Sequence, residues 1–303
     1  MTQRPSVESK TSQLRATAAL ASAGALWGTA FLFGKIAFCE MSVSTNVALR
    51  FCFGSLVLLP VVFFRRPQRF SRRDFWNIVV AGVIGVPVQF LIQFKGLALT
   101  TVSHASLMVS SLPLLLAFSA VLFLGEKLRF FEWGVLTLST AGAVLISISK
   151  TSSGPQPSMK GDLLVVLSMV AAVVLTLITK RLVEIYDPAY VTASTILAGT
   201  VFLVAWTAIL ERPRLVFSAR AWLAVAAQGV LATAMAYLLW NWGMVRLPAA
   251  KASIFFNMEP LVGTILGLIV LHERLSGLAL LGGTMIVCGA MYFSTRTHAS
   301  AEE

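Results

Sequence analysis

The chain has 303 residues, of which 57% are hydrophobic and only 12% are charged, and its mean hydropathy is +0.82. A water-soluble domain carries about 25% charged residues, so this composition excludes a soluble globule and predicts an all-α integral membrane protein. The net charge of +11 is typical of nucleic-acid-binding proteins. Here, however, the basic residues lie between apolar runs, so we expect the lipid bilayer as a partner, and not nucleic acid.

Ten apolar runs are long enough to cross a bilayer as helices, which requires about 20 residues. In chain order, the predicted helices span residues 16–38, 45–64, 74–94, 103–124, 132–149, 161–182, 188–210, 221–242, 249–271 and 277–294. They form two groups of five, at residues 16–149 and 161–295. A polar tail precedes them at residues 1–15, a Ser-, Gly- and Pro-containing linker divides them at 150–160, and a short tail follows at 296–303.

The two groups resemble each other from their third helix onward. A shift of 147 residues superimposes several pairs of unlike residue types: Gly96 on Gly243, Pro113 on Pro260, Glu126 on Glu273 and Gly142 on Gly289. Because five helices is an odd number, the second group must enter the membrane from the opposite side. The sequence therefore predicts two inverted five-helix repeats, an architecture that transporters use.

The basic residues predict how the chain is oriented. Five arginines crowd the loop between the second and third helices: Arg65, Arg66, Arg69, Arg72 and Arg73. Positive loops stay in the cytoplasm, so this loop predicts cytoplasmic termini in a plasma (inner) membrane of the prokaryotic type. The excess of basic residues in the predicted cytoplasmic segments is strong in the first half of the chain and nearly absent in the second.

Several motifs resemble those of the EamA family in the drug/metabolite transporter superfamily. They are LWGTAF at 26–31, Ala105–Ser106 followed by Pro113 and by GEKL at 125–128, KASI at 251–254, NMEPL at 257–261 and HERL at 272–275. The family more often has glycine at the position of His272. The resemblance implies ten helices, cytoplasmic termini and a central cavity made mainly by helices 1, 3, 4, 6, 8 and 9. It also implies export of amino acids, related metabolites or toxic compounds, without naming the substrate.

The third helix carries a polar and small-residue stripe that two interpretations explain. At 100° per residue, Gly82, Gly85, Gln89, Gln93 and Gly96 share one face. This stripe predicts either the wall of a transport cavity, with Gln89 and Gln93 binding substrate, or a close helix–helix contact with glutamine as an interhelical hydrogen-bonding group.

The ninth helix offers a second polar face. Ser253, Asn257, Pro260 and Thr264 lie on one side of an ideal α-helix, and Asn257 is a candidate substrate-binding residue. Pro260 cannot donate a backbone hydrogen bond, and Pro113 has the same property on the fourth helix. Paired prolines at matching depths favour a midplane site, and a simple packing kink is the alternative.

Glu259 is the only acidic residue near the centre of a predicted span. Because a carboxylate is costly in hydrocarbon, we expect Glu259 either to bind a substrate ammonium group or coupling proton, or to form a fixed ion pair, with Lys251 as one candidate partner. On an ideal α-helix it lies nearer Gly263 than Asn257, which leaves open whether it faces the cavity or a neighbouring helix.

Aromatic residues complete the candidate site. Trp27 and Phe31 on the first helix, with Tyr237 and Trp240 on the eighth, could enclose a partly apolar substrate. Aromatic residues near a membrane boundary more often form an interfacial belt, which is the preferred interpretation of Trp242.

The other charged residues near span ends favour ordinary roles. Lys35, Arg50, His104 and Lys251 are interpreted as solvated or snorkelling side chains. Glu126 and Glu273 are expected to accept backbone N–H bonds at a helix start or to pair with an adjacent cation.

These features favour a secondary transporter that exports amino acids or related small polar metabolites. Broad efflux of lipophilic cations is the alternative, since abundant Phe and Met would suit a promiscuous pocket. An intramembrane enzyme lacks support, because the chain has no HExxH motif and only one mid-span carboxylate. No P-loop motif indicates ATP use. Three cysteines without metal-ligand spacing predict no metal and no cofactor. The sequence leaves the oligomeric state open.

Overall fold

The computed structural model describes residues 10–67, 70–99, 108–148, 158–211, 215–271 and 277–299. Within these ranges every regular element is helical. In chain order the helices are α1 (Lys10–Ala37), α2 (Val43–Phe64), α3 (residues 72–97), α4 (Leu112–Leu124), α5 (Phe130–Ile148), α6 (Met159–Val183), α7 (Pro188–Leu210), α8 (residues 219–244), α9 (residues 249–271) and α10 (Gly277–Ala299).

Eight of the described helices are long and apolar enough to cross a membrane, and two shorter apolar helices, Leu112–Leu124 and Gly277–Phe293, accompany them. The prediction of an all-helical membrane protein is therefore confirmed. Hydropathy located the spans but not every helix end. The helix α1 begins six residues before the predicted span, and α10 continues to Ala299 through part of the predicted tail. Polar residues beyond the lipid can extend a helix because its backbone bonds do not depend on hydropathy.

Three helices depart from regular α geometry along their length, which the sequence did not predict. The helix α3 contains a π-helical stretch at Ile84–Val88, and α8 contains one at Gln228–Met235. The helix α9 begins with Ala249–Ala252, tightens into a 3-10 segment at Ser253–Asn257, and continues at Met258–Leu271. In α3 the irregularity has a local cause, because Pro87 lies inside it and has no N–H to donate.

The helices of the first half pack mainly against those of the second. The helix α1 packs against α8 and α9, while α6 packs in the same way against α3 and α4. The helix α2 contacts α7 and α8, α3 contacts α7, and α5 pairs with α10. The described core is therefore shared between the halves.

Glycines permit the closest of these approaches. A Cβ atom placed on Gly82 of α3 would lie 2.5 Å from the carbonyl oxygen of Thr195 and 2.8 Å from the backbone nitrogen of Gly199, both on α7. On α8, a Cβ atom at Gly229 would lie 2.5 Å from the carbonyl oxygen of Arg50 on α2. Backbone atoms cannot move aside as a flexible side chain can, so both contacts require glycine.

We expect Gly82→Ala to destabilise the protein by about 1–3 kcal/mol, because the added methyl group overpacks the α3–α7 contact. The control is Gly134→Ala, since a Cβ atom there has no neighbour within 4 Å. Both substitutions raise helix propensity by about 1 kcal/mol, so their difference isolates the contact. Thermal unfolding in detergent measures it. Equal stability of the two variants would contradict the packing argument.

Candidate functional site

A cavity of about 120 Å³ lies inside the helix bundle, several times the space that one water molecule needs. Its walls come from α1, α3, α4, α6, α8 and α9, the helices that the resemblance implies, and also from α2 and α7. Polar, aromatic and charged side chains from distant parts of the chain therefore meet in one internal space.

The two glutamines of α3 border this cavity. Gln89 begins the α-helical segment after the π-helical stretch, and Gln93 follows one turn later. Gln89 is 8% exposed, and its side-chain oxygen has no hydrogen-bond partner among the described residues. The glycines of the same stripe instead contact other helices, as Gly96 does at Gly161 and Val165 of α6. The glutamines of the stripe therefore border the cavity, whereas its glycines lie at close helix–helix contacts.

An aromatic cluster forms another part of the wall. Trp27 of α1 stacks on Phe256 of α9, with ring centroids 5.1 Å apart and planes within 9°. Trp240 of α8 lies 5.2 Å from Trp27 and 4.3 Å from Phe256, while Tyr237 meets Trp27 edge-on at 5.4 Å. Flat rings packed in this manner offer a large apolar contact surface to a bound molecule.

Two oppositely charged side chains border the cavity. Glu259 lies at its wall, and no described side chain forms an ion pair or hydrogen bond with its carboxylate. Arg50 of α2 is only 9% exposed and borders the same cavity, so the interpretation of Arg50 as a snorkelling residue is wrong. Its guanidinium donates from Nε to the Thr233 hydroxyl at 2.8 Å and from Nη2 to the Ala232 carbonyl at 3.0 Å.

Asn257 is the candidate that the structure does not bring to the cavity. It is 2% exposed, and its side-chain nitrogen donates to the Ser139 hydroxyl of α5 at 3.0 Å. Lys251 is also bound elsewhere, because it pairs with Glu132 of α5 at 2.8 Å. It is therefore neither the fixed partner of Glu259 nor a freely solvated side chain. The side chains of Lys251 and Asn257 therefore link α9 to α5.

Some candidates lie outside the described part of the chain. These are the side chain of Phe31 and the residues Ala105, Ser106, His104, His272, Glu273 and the linker at 150–157.

Several polar cavity residues were missing from the sequence-based candidates. Besides Arg50 they include Thr176, Thr179, Thr192 and Thr195. Asn241 donates to the Thr192 hydroxyl at 2.8 Å. The hydroxyl of Thr195 has no partner among the described residues, although Thr195 is 2% exposed. Threonine pairs three residues apart, on α6 and again on α7, are a signal that could have identified one wetted face on each helix.

Charged side chains bind backbone groups of helix termini at the end of the bundle where α4 ends and α9 begins. Lys180 of α6 donates to the carbonyls of Met244, the last residue of α8, and of Leu247 beyond it. Arg181 donates to the carbonyl of Phe123 in α4 at 2.7 Å. Glu126 accepts the backbone N–H groups of Ala249 and Ala250 at 2.8 and 2.7 Å. Glu126 therefore acts at a helix start as predicted, but the helix is α9 of the other half of the chain.

An apolar helix bundle around an internal cavity of polar and aromatic side chains has the architecture of a membrane transporter. A model of the EamA-like transporter family matches residues 15–148 and 159–295. The chain belongs to this family, which confirms the resemblance seen in the sequence motifs.

Similar proteins carry transporter names. An uncharacterized transporter of Bacillus subtilis, YyaM, is 25% identical over 276 residues that cover 87% of this chain and 88% of the relative. An uncharacterized transporter of Archaeoglobus fulgidus is 25% identical, with 90% and 95% covered. A probable terminal-alkyne amino-acid exporter of Streptantibioticus cattleyicolor is 24% identical, with 77% and 76% covered. A crystal structure with 24% identity superimposes with a TM-score of 0.80 over 92% of this chain and 98% of that one, which supports the fold.

We expect a cysteine at position 93 to react with a small water-soluble thiol reagent at least about tenfold faster than one at position 257, because thiolate formation requires a wet, polar surrounding. The paired variants Gln93→Cys and Asn257→Cys share a background without the native cysteines Cys39, Cys52 and Cys288. Mass spectrometry of the purified protein follows the labelling rate. Equal labelling rates would contradict the placement of Gln93 at the cavity and of Asn257 in the contact between α9 and α5.

Proposed function

We propose that the chain crosses the membrane ten times as two inverted five-helix repeats, residues 16–149 and 161–295, with both termini in the cytoplasm. The packing supports this topology, because α1 contacts α8 and α9 just as α6 contacts α3 and α4. The π-helical stretches also support it. Shifted by 147 residues, Ile84–Val88 falls on residues 231–235, inside the stretch at Gln228–Met235.

We further propose a secondary transporter that exports amino acids or related small polar metabolites across the inner membrane by alternating access. One observation carries this proposal: the same internal cavity presents a cation, a carboxylate and three amides beside an aromatic cluster. Polar groups of both charges suit a small polar molecule with an apolar part. The named amino-acid exporter among the relatives is consistent with this class of cargo.

Efflux of lipophilic cations is the second candidate function. The carboxylate of Glu259 and the rings of Trp27, Trp240 and Phe256 border the same space, and aromatic faces attract cations. This alternative uses one side of the cavity and gives no role to Arg50 or the glutamines of α3.

We expect the purified protein in liposomes to move one or more amino acids, because the cavity can bind both charged ends of such a molecule. The measurement is flux for a panel of amino acids, nucleosides and lipophilic cationic dyes, with and without a pH gradient. A gradient-dependent rate would identify ion coupling. Flux of the dyes alone would favour the alternative, and no flux for any compound with folded protein would contradict the transporter proposal.

The proposed topology places the α1–α2 turn outside the cell, so we expect an impermeant thiol reagent to label the exposed Cys39 on intact cells. Cys52 and Cys288 are replaced by alanine for this experiment. The matched control replaces Cys39 as well and introduces Lys127→Cys in the exposed α4–α5 connection, which should react only after the membrane is permeabilised. Labelling of both sites from the same side would contradict the topology.

A further inference from the structure

The guanidinium of Arg50 has unused hydrogen-bonding capacity inside the protein. An arginine side chain carries five N–H donors, and two of them bind Thr233 and Ala232. The other three have no partner among the described residues. The group is also held in place, because its central carbon lies 5.5 Å from the ring centroid of Phe51 and 5.7 Å from that of Phe90. Arg50 thus presents a fixed, partly unsatisfied cation to the cavity.

The other buried cation, Lys180, shows what a purely structural role looks like in this protein. Its ammonium group has three donors, and it contacts the carbonyls of Met244 and Leu247 and, at 3.2 Å, the carboxylate of Glu184. Lys180 is therefore fully partnered and balanced by an anion. Arg50 has no carboxylate within ion-pair distance in the described part of the chain, although a buried charge without one costs several kcal/mol. The hydrogen bonds from Arg50 to α8 link two helices, but that link alone does not explain why a charged residue is buried at this position.

A balancing charge borders the same cavity. Glu259 and Tyr237 line the cavity together with Arg50, and the carboxylate of Glu259 forms no ion pair with Arg50 in the described structure. Beside them, the side-chain oxygen of Gln89 and the hydroxyl of Thr195 also lack partners. The cavity wall therefore carries a cation, a carboxylate and unsatisfied polar atoms. A ligand that carries both charges would pair with both charged groups.

We propose that Arg50 binds the carboxylate of the transported molecule while Glu259 binds its ammonium group, so that the cavity selects zwitterions. This inference rests on the proposed function and assigns the residues that determine its substrate class. Arginine suits the role because its planar N–H groups can hold both oxygens of a carboxylate at once. The apolar side chain of the cargo then lies against Trp27, Trp240 and Phe256.

The experiment compares three forms of the amino acid that the wild-type protein moves fastest: the acid itself, its amide and its decarboxylated amine. In liposomes, Arg50→Gln should lower kcat/KM for the acid by about thirtyfold or more, because it removes one partner of a buried charge pair. Flux of the amide and the amine, which lack the carboxylate, should change far less. Glu259→Gln should weaken transport of all three forms, since each has an ammonium group. Arg65→Gln is the matched control, because Arg65 pairs with Asp187 outside the cavity.

A second variant separates substrate binding from the contact between α2 and α8. Thr233→Val removes the acceptor for Arg50 Nε but keeps the guanidinium, so it should retain the wild-type preference for the acid over the amide. A loss of that preference equal to the loss in Arg50→Gln would assign Arg50 a structural role and overturn the inference. If Arg50→Gln does not fold, binding of the acid and of the amide to the wild-type protein decides, followed by tryptophan fluorescence, to which Trp27 and Trp240 at the cavity contribute. An amide that binds as tightly as its acid overturns the inference.

The two proposals fail in different ways. If the wild-type protein moves no zwitterion, the proposed amino-acid export is wrong. If it moves zwitterions and Arg50→Gln keeps the wild-type ratio of acid to amide flux, only the assignment of Arg50 is wrong.

Discussion

Hydrocarbon offers no hydrogen-bond partner, so every polar group that this chain takes into the bilayer must find one within the protein or in an internal wet space. The described structure meets this constraint through hydrogen bonds within each helix, as from Thr200 to the carbonyl of Ile196, and through contacts between distant parts of the sequence. Arg181 of α6 binds the last turn of α4, and Asn257 of α9 binds Ser139 of α5. Several buried polar atoms have no partner among the described residues. Of these, the oxygens of Gln89 and Thr195 lie at the cavity, as does the Arg50 guanidinium, and a cargo or water there can complete their bonds.

The irregular helical stretches and the cavity coincide. Gln89 directly follows the π-helical stretch of α3, and Tyr237 lies just beyond that of α8. Phe256 lies within the 3-10 segment of α9, and Glu259 comes shortly after it. Irregular helical backbone inside the membrane is tolerated where it lines a cavity, and π-helical stretches are frequent at functional sites. In α8 the stretch also has an external partner, because its Ala232 carbonyl accepts a bond from Arg50. The three helices that could bend most easily therefore carry most of the polar and aromatic wall.

The positions of the spans could be predicted from the sequence because a bilayer demands long apolar runs, and family membership followed from ordered motifs. Gln89, Gln93, Trp27, Tyr237 and Trp240, which were candidates from the sequence, border the cavity, and their binding of substrate stays a prediction. The error in α9 has a geometric cause. An α-helical wheel advances 100° per residue, whereas a 3-10 segment advances about 120°, so Ser253–Asn257 rotates the face that follows. Asn257 accordingly points to α5, and Glu259 borders the cavity. Arg50 was missed because its partners, Thr233 and Ala232, lie more than 180 residues away in the sequence.

The bond from Glu126 to the start of α9 has a consequence for biosynthesis. Ribosomes release the N-terminal part of a chain first, so the segment that carries Glu126 enters the membrane before α9 is made. The carboxylate of Glu126, which accepts the first two N–H groups of α9, is therefore synthesised before α9 itself. Without Glu126, the first two amides of α9 would lack this acceptor.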